Sequence, residues 1–235
     1  MLNADLLTRE RVTIGGPAGM LTAELVYPSS DPASHLVVVV NPHPLMGGTM
    51  QNNVVLALAE ALPCEGFATL RFDYRGVGDS DGGRADVEAA MAQFWQTGTA
   101  PQDEGLIDDA VCVSRWAARH APLPLVLIGY SFGAYAAARV AAQVRAARLV
   151  LVAPTLCQHA FPCVASLDRP LFVVYGDNDF ATPRETTEAW MAASTVRPQS
   201  LRLPDADHFF RGREASVSAA CAAFIRSPLA GRASA

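Results

Sequence analysis

Residues 125–134 read LVLIGYSFGA, and this stretch decides the fold class of the chain. Its first four residues form an apolar run, which is typical of a strand buried on both faces. The next five match the pattern G-x-S-x-G, and an alanine-rich stretch at helical spacing continues to residue 144. Glycines in this pattern allow a sharp turn that exposes the serine hydroxyl at the start of a helix. The stretch therefore predicts a strand, a tight turn carrying Ser131 as a candidate nucleophile, and a helix.

Strand-like and helix-like segments alternate on both sides of this unit, which favours parallel strands joined by helical crossovers. Predicted strands cover residues 11–14, 21–27, 36–40, 67–72, 125–129, 149–152, 171–175 and 200–203. Predicted helices cover residues 49–61, 103–119, 134–144, 183–193 and 214–225. We expect an α/β fold with a mostly parallel twisted sheet of about eight strands and helices on both faces. The first two strands are joined by a short glycine-rich segment and are expected to be antiparallel.

The length of 235 residues suits one α/β domain, and we expect residues 1–235 to form it. Residues 82–102 interrupt the alternation of strands and helices. Within them an amphipathic stretch ends at Phe94 and Trp95, which predicts a short helical insertion. The insertion could lie over a site at the sheet edge, or it could be a surface element packed by these two aromatic side chains.

The composition excludes several classes of protein. Hydrophobic residues make up 51% of the chain and charged residues 17%, which excludes a disordered chain. The net charge of −5 argues against nucleic acid or an anionic membrane as a partner held by charge. The longest apolar runs are far shorter than the roughly 20 residues that cross a membrane. Residues 1–5 carry an early acid with no apolar run behind it, so we expect no signal peptide and a cytoplasmic location.

The sequence predicts neither a cofactor nor a metal ion. No G-x-G-x-x-G follows the first strand, and no cluster of histidines and acids has the spacing of metal ligands. The five cysteines include no C-x-x-C pair. Cys157 and Cys163 flank a short loop and could pair, although a reducing cytoplasm favours free thiols.

The groups that a nucleophilic serine needs follow two later strands. A serine hydroxyl reacts poorly until a histidine removes its proton and an acid orients that histidine. Residues 176–183 read GDNDFATP after the seventh predicted strand, and residues 205–210 read DADHFF after the eighth. Parallel strands end at the same edge of a sheet, so we expect an acid of the first segment and His208 to lie near Ser131.

With these motifs in this order, the chain resembles the α/β-hydrolase superfamily, specifically its small, esterase-like bacterial serine hydrolases without a large cap domain. The resemblance covers nearly the whole chain and includes NPHPLMGG at residues 41–48 and DYRGVGDS at residues 73–80. Within the second motif, we interpret Asp73, Arg75 and Asp79 as a structural turn with internal ion pairing, in preference to substrate recognition.

The resemblance implies a catalytic triad of Ser131, Asp179 and His208. In the superfamily the acid follows the pattern G-x-x-D, and this selects Asp179 over Asp177. Asp207 could also orient His208, but adjacent residues rarely point the same way from a turn.

Two backbone amides are expected to form an oxyanion hole. Phe132 follows the serine at the helix N-terminus, so its N–H would face a developing negative charge. The resemblance places the second donor in the loop at residues 41–48. Pro44 has no N–H, so by position this donor is Leu45. His43 in the same loop could shape it by hydrogen bonding.

The resemblance implies a serine hydrolase that cleaves a carboxylic ester or thioester of a small molecule through an acyl-enzyme intermediate, with no cofactor. The connection at residues 153–169 is too short for a large cap domain, so we expect an open site. Candidate pocket residues are large apolar side chains near the expected rim: Met46, Phe94, Trp95, Tyr130, Phe161, Phe180 and Phe209. Two alternatives stay open, namely an amidase or peptidase acting on small amides and a non-catalytic interaction module on the same fold.

Overall fold

A sheet of eight strands runs through the computed structural model, which describes residues 6–83 and 86–228. The strands are β1 Leu7–Gly16, β2 Gly19–Pro28, β3 Leu36–Val40, β4 Ala68–Phe72, β5 Leu125–Tyr130, β6 Arg148–Val152, β7 Leu171–Asn178 and β8 Gln199–Asp207. They lie in the order β1-β2-β4-β3-β5-β6-β7-β8. β2 is antiparallel to β1 and to β4, and the other neighbouring pairs are parallel. The predicted sheet is confirmed, while the prediction about a signal peptide falls on residues 1–5, outside the described residues.

Helices cover both faces of the sheet, as predicted. They are α1 Asn53–Cys64, α2 Val87–Thr97, α3 Asp103–His120, α4 Phe132–Ala141, α5 Arg184–Ala193 and α6 Glu214–Arg226. α1 and α6 pack on the face of Val37 and Val39 in β3, whereas α3 and α4 pack on the face of Val38 and Val40. Every residue of β3 is buried, as an unbroken apolar run between two helical layers requires.

The topology brings three loops to one edge of the sheet. β5, β6, β7 and β8 run parallel to one another, so their carboxyl ends meet at that edge. Ser131 directly follows β5, Asp179 follows β7 and His208 follows β8. After a register shift, β7 and β8 stay paired as far as Asn178 and Asp207. This pairing sets the loop of Asp179 beside the loop of His208.

A helix lies within the insertion predicted at residues 82–102. α2 begins after Asp86, whose side chain accepts a backbone N–H of the first turn at 3.1 Å, and ends before Gly98, where φ is 75°. Both are common boundaries of a helix. Of the residues of α2, Ala90 alone is buried, so few apolar contacts hold this helix. Residues 84 and 85 lie outside the described residues.

The turn after β4 is held by ion pairs to other elements. Arg75 donates to the buried carboxylate of Asp109 in α3 at 2.7 and 2.9 Å, and Asp79 pairs with Arg11 of β1. Asp73 accepts a backbone N–H from the loop before α1 at 2.8 Å, and burial raises its pKa. The expectation of internal ion pairing is therefore wrong, because the three side chains diverge towards different neighbours.

Three further features concern the expected chemistry of the chain. All five cysteines are free thiols, including Cys157 and Cys163. Among residues 6–83 and 86–228, no three His, Cys, Asp or Glu side chains are arranged to share a metal ion. Over the same ranges, no helix combines the length and apolarity that crossing a bilayer requires.

Candidate active site

Two glycines make possible the turn that holds Ser131 between β5 and α4. A Cβ on Gly129 would lie 2.0 Å from the carbonyl oxygen of Gly133, and one on Gly133 would lie 2.1 Å from that of Val40. Ser131 has φ 59° and ψ −123°, a combination that residues with a side chain rarely adopt. Its N–H donates to the carbonyl oxygen of Val152 at 2.9 Å. The turn is thus closely packed on both sides.

The hydroxyl of Ser131 lies within hydrogen-bond distance of His208. Ser131 Oγ is 2.9 Å from Nε2 of His208, and Nδ1 of the same ring is 2.9 Å from both carboxylate oxygens of Asp179. The side chains of His208 and Asp179 are 7% and 2% exposed, so water screens their contact little. The structure therefore brings together the three residues that sequence analysis named as a triad.

Asp179 and Asp177 have different partners. Asp179 Oδ1 also accepts two backbone N–H groups of its own loop at 2.8 and 3.1 Å, which orient the carboxylate towards His208. Asp177 forms an ion pair with Arg202, with 2.8 Å between Oδ2 and Nη2, and this hydrogen bond lowers the pKa of Asp177. Asp207 accepts a backbone N–H of its own loop at 2.9 Å. Asp179 is the one of the three whose carboxylate contacts the imidazole.

Tyr130 anchors the backbone at His208. Its hydroxyl donates to the carbonyl oxygen of His208 at 2.9 Å, and its ring centroid lies 5.8 Å from the imidazole. Burial, together with the charge of Asp179, raises the pKa of Tyr130, so the phenol keeps the proton that it donates. The residue before Ser131 therefore couples the end of β5 to the histidine loop.

One of the two predicted oxyanion donors is free and the other is engaged. Phe132 is the first residue of α4, so its N–H has no partner within the helix, and none is found elsewhere in the described part of the chain. The N–H of Leu45 donates to Nδ1 of His43 at 3.0 Å within residues 41–48, the oxyanion loop. A substrate oxygen would have to take over this hydrogen bond, so Leu45 as second donor stays a prediction. The bond agrees with the expectation that His43 shapes this loop.

A cavity of about 410 Å³ opens at Ser131. It is lined by six of the predicted pocket residues, Met46, Phe94, Trp95, Tyr130, Phe180 and Phe209. Phe161 is absent from the lining because it is buried against aromatic side chains of α4 and α5, so this part of the prediction is wrong. Trp95 and Phe180 are 76% and 72% exposed, which places large apolar surfaces at the mouth of the cavity.

Polar side chains that sequence analysis did not single out also line the cavity: Asn52, Asp103, Thr155, Gln158 and His159. In the sequence, Asp103 stands out only as an acid at a helix start, where the dipole favours it. His159 has no motif around it. These side chains reach the cavity because segments that are distant in the sequence pack together. No local sequence pattern predicts such packing.

Similar solved structures have the same architecture. A serine hydrolase homologue from Coxiella burnetii is 32% identical, with a TM-score of 0.79 over 92% of this chain and 97% of that chain. A serine hydrolase without a lid from Xanthomonas campestris is 28% identical, with a TM-score of 0.79 over 95% and 96% of the two chains. An esterase domain from a Rhodothermus marinus protein is 17% identical, with a TM-score of 0.70 over 93% and 98%, and shares the fold alone. The sheet order and the residues at its edge define an α/β hydrolase.

A comparison of sequences gives the family. The sequence model of the family described as serine aminopeptidase, S33, matches residues 36–165, more than half of the chain. The chain belongs to this family.

Proposed function

We propose that the protein is a serine hydrolase that cleaves a carboxylic ester or thioester through an acyl-enzyme intermediate. The observation that carries this proposal is the unbroken series of contacts from Ser131 Oγ through His208 to Asp179, with 2.9 Å at each step. Such a series supplies the base and the orienting acid that a serine hydroxyl needs to react. A non-catalytic interaction module would need none of these contacts.

In the acylation half, Ser131 Oγ attacks the carbonyl carbon while Nε2 of His208 takes the hydroxyl proton. Asp179 keeps the other ring proton on Nδ1 and stabilises the imidazolium that forms. The carbonyl oxygen becomes negative and accepts a hydrogen bond from the N–H of Phe132. The N–H of Leu45 leaves its hydrogen bond to His43 and donates to the same oxygen. His208 then gives its proton to the leaving alcohol or thiol as the C–O or C–S bond breaks.

In the deacylation half, water repeats the same steps. His208 removes a proton from the water, and the oxygen attacks the acyl carbon. The bond to Ser131 Oγ then breaks, the serine regains its proton from His208, and a carboxylic acid leaves. Neither half calls for a cofactor.

A fluorophosphonate probe tests the proposal, because it labels a serine only where a base activates the hydroxyl. We expect one label per chain at Ser131, together with turnover of p-nitrophenyl acetate. Absence of both labelling and turnover would favour the interaction module instead.

The family's description favours a second candidate, an amidase or peptidase acting on small amides. Cleavage of an amide asks more of His208 as a general acid, since an amine leaves only when protonated. An ester and an amide of the same acyl group separate the two candidates. Because an ester is the more reactive of the two, a peptidase would cleave both compounds. The proposed esterase should hydrolyse the ester and leave the amide intact, and hydrolysis of the amide would establish the alternative.

Trp95→Ala should weaken kcat/KM more for a hexanoate ester than for an acetate ester. The indole lines the cavity from α2, and its ring centroid lies 5.7 Å from that of Phe94. A longer acyl chain can cover this surface, and one lost hydrophobic contact is worth about 1–3 kcal/mol, or roughly 10–200-fold. The measurement is kcat/KM for p-nitrophenyl acetate and hexanoate in both proteins.

Val87→Ala is the matched control for this comparison. Val87 is an exposed apolar residue of the same helix, and it does not line the cavity at Ser131. Its substitution should leave the hexanoate-to-acetate ratio unchanged. An unchanged ratio in Trp95→Ala as well would show that the indole of Trp95 takes no part in acyl selection.

A further inference from the structure

Asp103, the first residue of α3, joins three segments at the wall of the cavity. Its Oδ1 lies 3.0 Å from Nε2 of His43, and its Oδ2 accepts the N–H of Ala100 at 3.1 Å. Nε2 of His159 lies 3.7 Å from the same Oδ2. The side chains of His43, Asp103 and His159 are 9%, 12% and 7% exposed, and all three line the cavity. One nearly buried carboxylate thus connects the oxyanion loop, the end of the insertion and the loop after β6.

The hydrogen bonds fix which atoms carry protons. The N–H of Leu45 donates to Nδ1 of His43, so this nitrogen is unprotonated and the ring proton is on Nε2, facing Asp103. Burial disfavours the charged form of Asp103, but the neighbouring imidazoles of His159 and His43 and the N–H of Ala100 outweigh it and hold the pKa of Asp103 well below its ordinary value. An ionised carboxylate therefore accepts from an imidazole that in turn accepts an amide of the oxyanion loop.

The same cluster surrounds the side chain of Phe132. The ring centroid of Phe132 lies 4.9 Å from that of His43 and 5.6 Å from that of His159, both edge to face. The backbone N–H of Phe132 is the free donor beside Ser131. Asp103 is thus linked to both proposed oxyanion donors, to Leu45 through a hydrogen-bonded imidazole and to Phe132 through ring packing.

We propose that Asp103 is a positioning residue for the hydrolysis: it fixes His43 in the tautomer protonated on Nε2 and thereby keeps the amide of Leu45 at the cavity. This inference rests on the proposed function. Before substrate binds, the imidazole of His43 satisfies the Leu45 N–H. The developing oxyanion carries a charge and is the stronger acceptor, so it takes this N–H over in the transition state. Asp103 acts through His43 and exchanges no proton with the substrate.

Asp103→Asn tests the proposal because neither orientation of a carboxamide can replace the carboxylate. If the new NH₂ group faces His43, the imidazole has to move its proton to Nδ1, where it meets the N–H of Leu45. If the NH₂ group faces Ala100, it lies against the backbone N–H of Ala100, and the hydrogen bond between these two residues is lost because both groups are donors. A lost oxyanion donor costs roughly 10²–10³ in kcat, and a misplaced one should cost about 10- to 100-fold. KM should change little, since the amide acts mainly on the transition state.

The affinity of phenylboronic acid gives a readout that a merely structural role would not move. Its tetrahedral adduct with Ser131 places an oxygen where the oxyanion forms, so its inhibition constant should rise in proportion to the loss in kcat. The concentration of active sites is set by titration with the fluorophosphonate probe. The fall in kcat then refers to folded protein alone.

Asp109→Asn is the matched control on the same helix. Asp109 is fully buried and holds Arg75 across the turn after β4, away from the lining of the cavity at Ser131. Its substitution should lower the unfolding temperature and leave kcat per active site at the parental value.

If Asp103→Asn fails to fold, a pair of His43 variants tests the proposed role of the hydrogen bond between the N–H of Leu45 and His43. In His43→Asn, Oδ1 can replace Nδ1 as the acceptor for Leu45, whereas His43→Phe has no acceptor. We expect the asparagine variant to retain more kcat than the phenylalanine variant. Because asparagine has no tautomer to fix, Asp103→Asn should add little further loss in the His43→Asn background.

The outcomes separate the two proposals. If the parent protein hydrolyses the ester and Asp103→Asn has the same or a higher kcat, the positioning role is overturned and the proposed function stands. Independent, additive losses from Asp103→Asn and His43→Asn overturn it as well. A parent that neither labels nor turns over overturns the proposed function and, with it, this inference.

Discussion

Ser131→Ala is expected to lower kcat for a small aryl ester by roughly 10⁴–10⁶-fold while leaving the fold intact. The substitution removes only Oγ, the atom that lies 2.9 Å from Nε2 of His208. Alanine keeps the Cβ, so the backbone at φ 59° stays under the same constraint and the packing of the turn is unchanged. The measurements are kcat with p-nitrophenyl acetate and the unfolding temperature.

Ser114→Ala serves as the control for this loss. Ser114 is a fully buried serine of α3, and its hydroxyl has no hydrogen-bond partner within the described ranges. Its removal should leave kcat at the parental level. Activity of Ser131→Ala within about tenfold of the parent would exclude Ser131 as the nucleophile.

Asp179→Asn should lower kcat by about 10⁴-fold, as the corresponding change does in other serine triads. A carboxamide can donate to Nδ1 of His208 and so favour the tautomer whose proton lies on Nε2, facing Ser131. A ring in that state cannot accept the serine proton. Asp177 offers no substitute for this acid, since its carboxylate is directed to Arg202.

Asp177→Asn is the comparison that decides between the two acids. It should change kcat little, because it removes a partly exposed ion pair with Arg202 and leaves the contact between Asp179 and the imidazole in place. Both variants are assayed with the same ester at equal concentrations of folded protein. A larger loss in Asp177→Asn than in Asp179→Asn would mean that the acid has been assigned to the wrong residue.

Elements with a strong local pattern were predicted closely from the sequence. The strand expected at residues 36–40 is β3, with the same bounds, because an unbroken apolar run there stops at a polar residue and a proline. α1 differs from its prediction at 49–61. It begins at Asn53, since the side chain of Asn52 accepts the N–H of Val54 at 3.0 Å and caps the helix. Capping of this kind needs a specific side-chain geometry, which apolar spacing alone does not reveal.

Contacts between segments distant in the sequence explain the features that were not predicted. β8 continues to Asp207, beyond its predicted end at residue 203, because it stays paired with β7 through a polar segment that lacks a strand pattern. Ser131 and His208 could be named because each follows a strand at the same edge, and the family resemblance selected Asp179 among the acids of the third loop. The approach of His43 and His159 to Asp103 has no such signal, since two separate loops and the first turn of α3 supply these residues.

The positive φ at Ser131 lowers the stability of the fold, while the side chain of the same residue is needed for the proposed reaction. A backbone held in such a region costs about 1–3 kcal/mol, a sizeable share of the roughly 5–15 kcal/mol by which a typical domain is stable. Glycine would relieve most of that cost, but it has no hydroxyl to offer. Natural or laboratory selection for thermal stability alone would therefore favour loss of the nucleophile, so a serine persists at this position only while the chemistry itself is under selection.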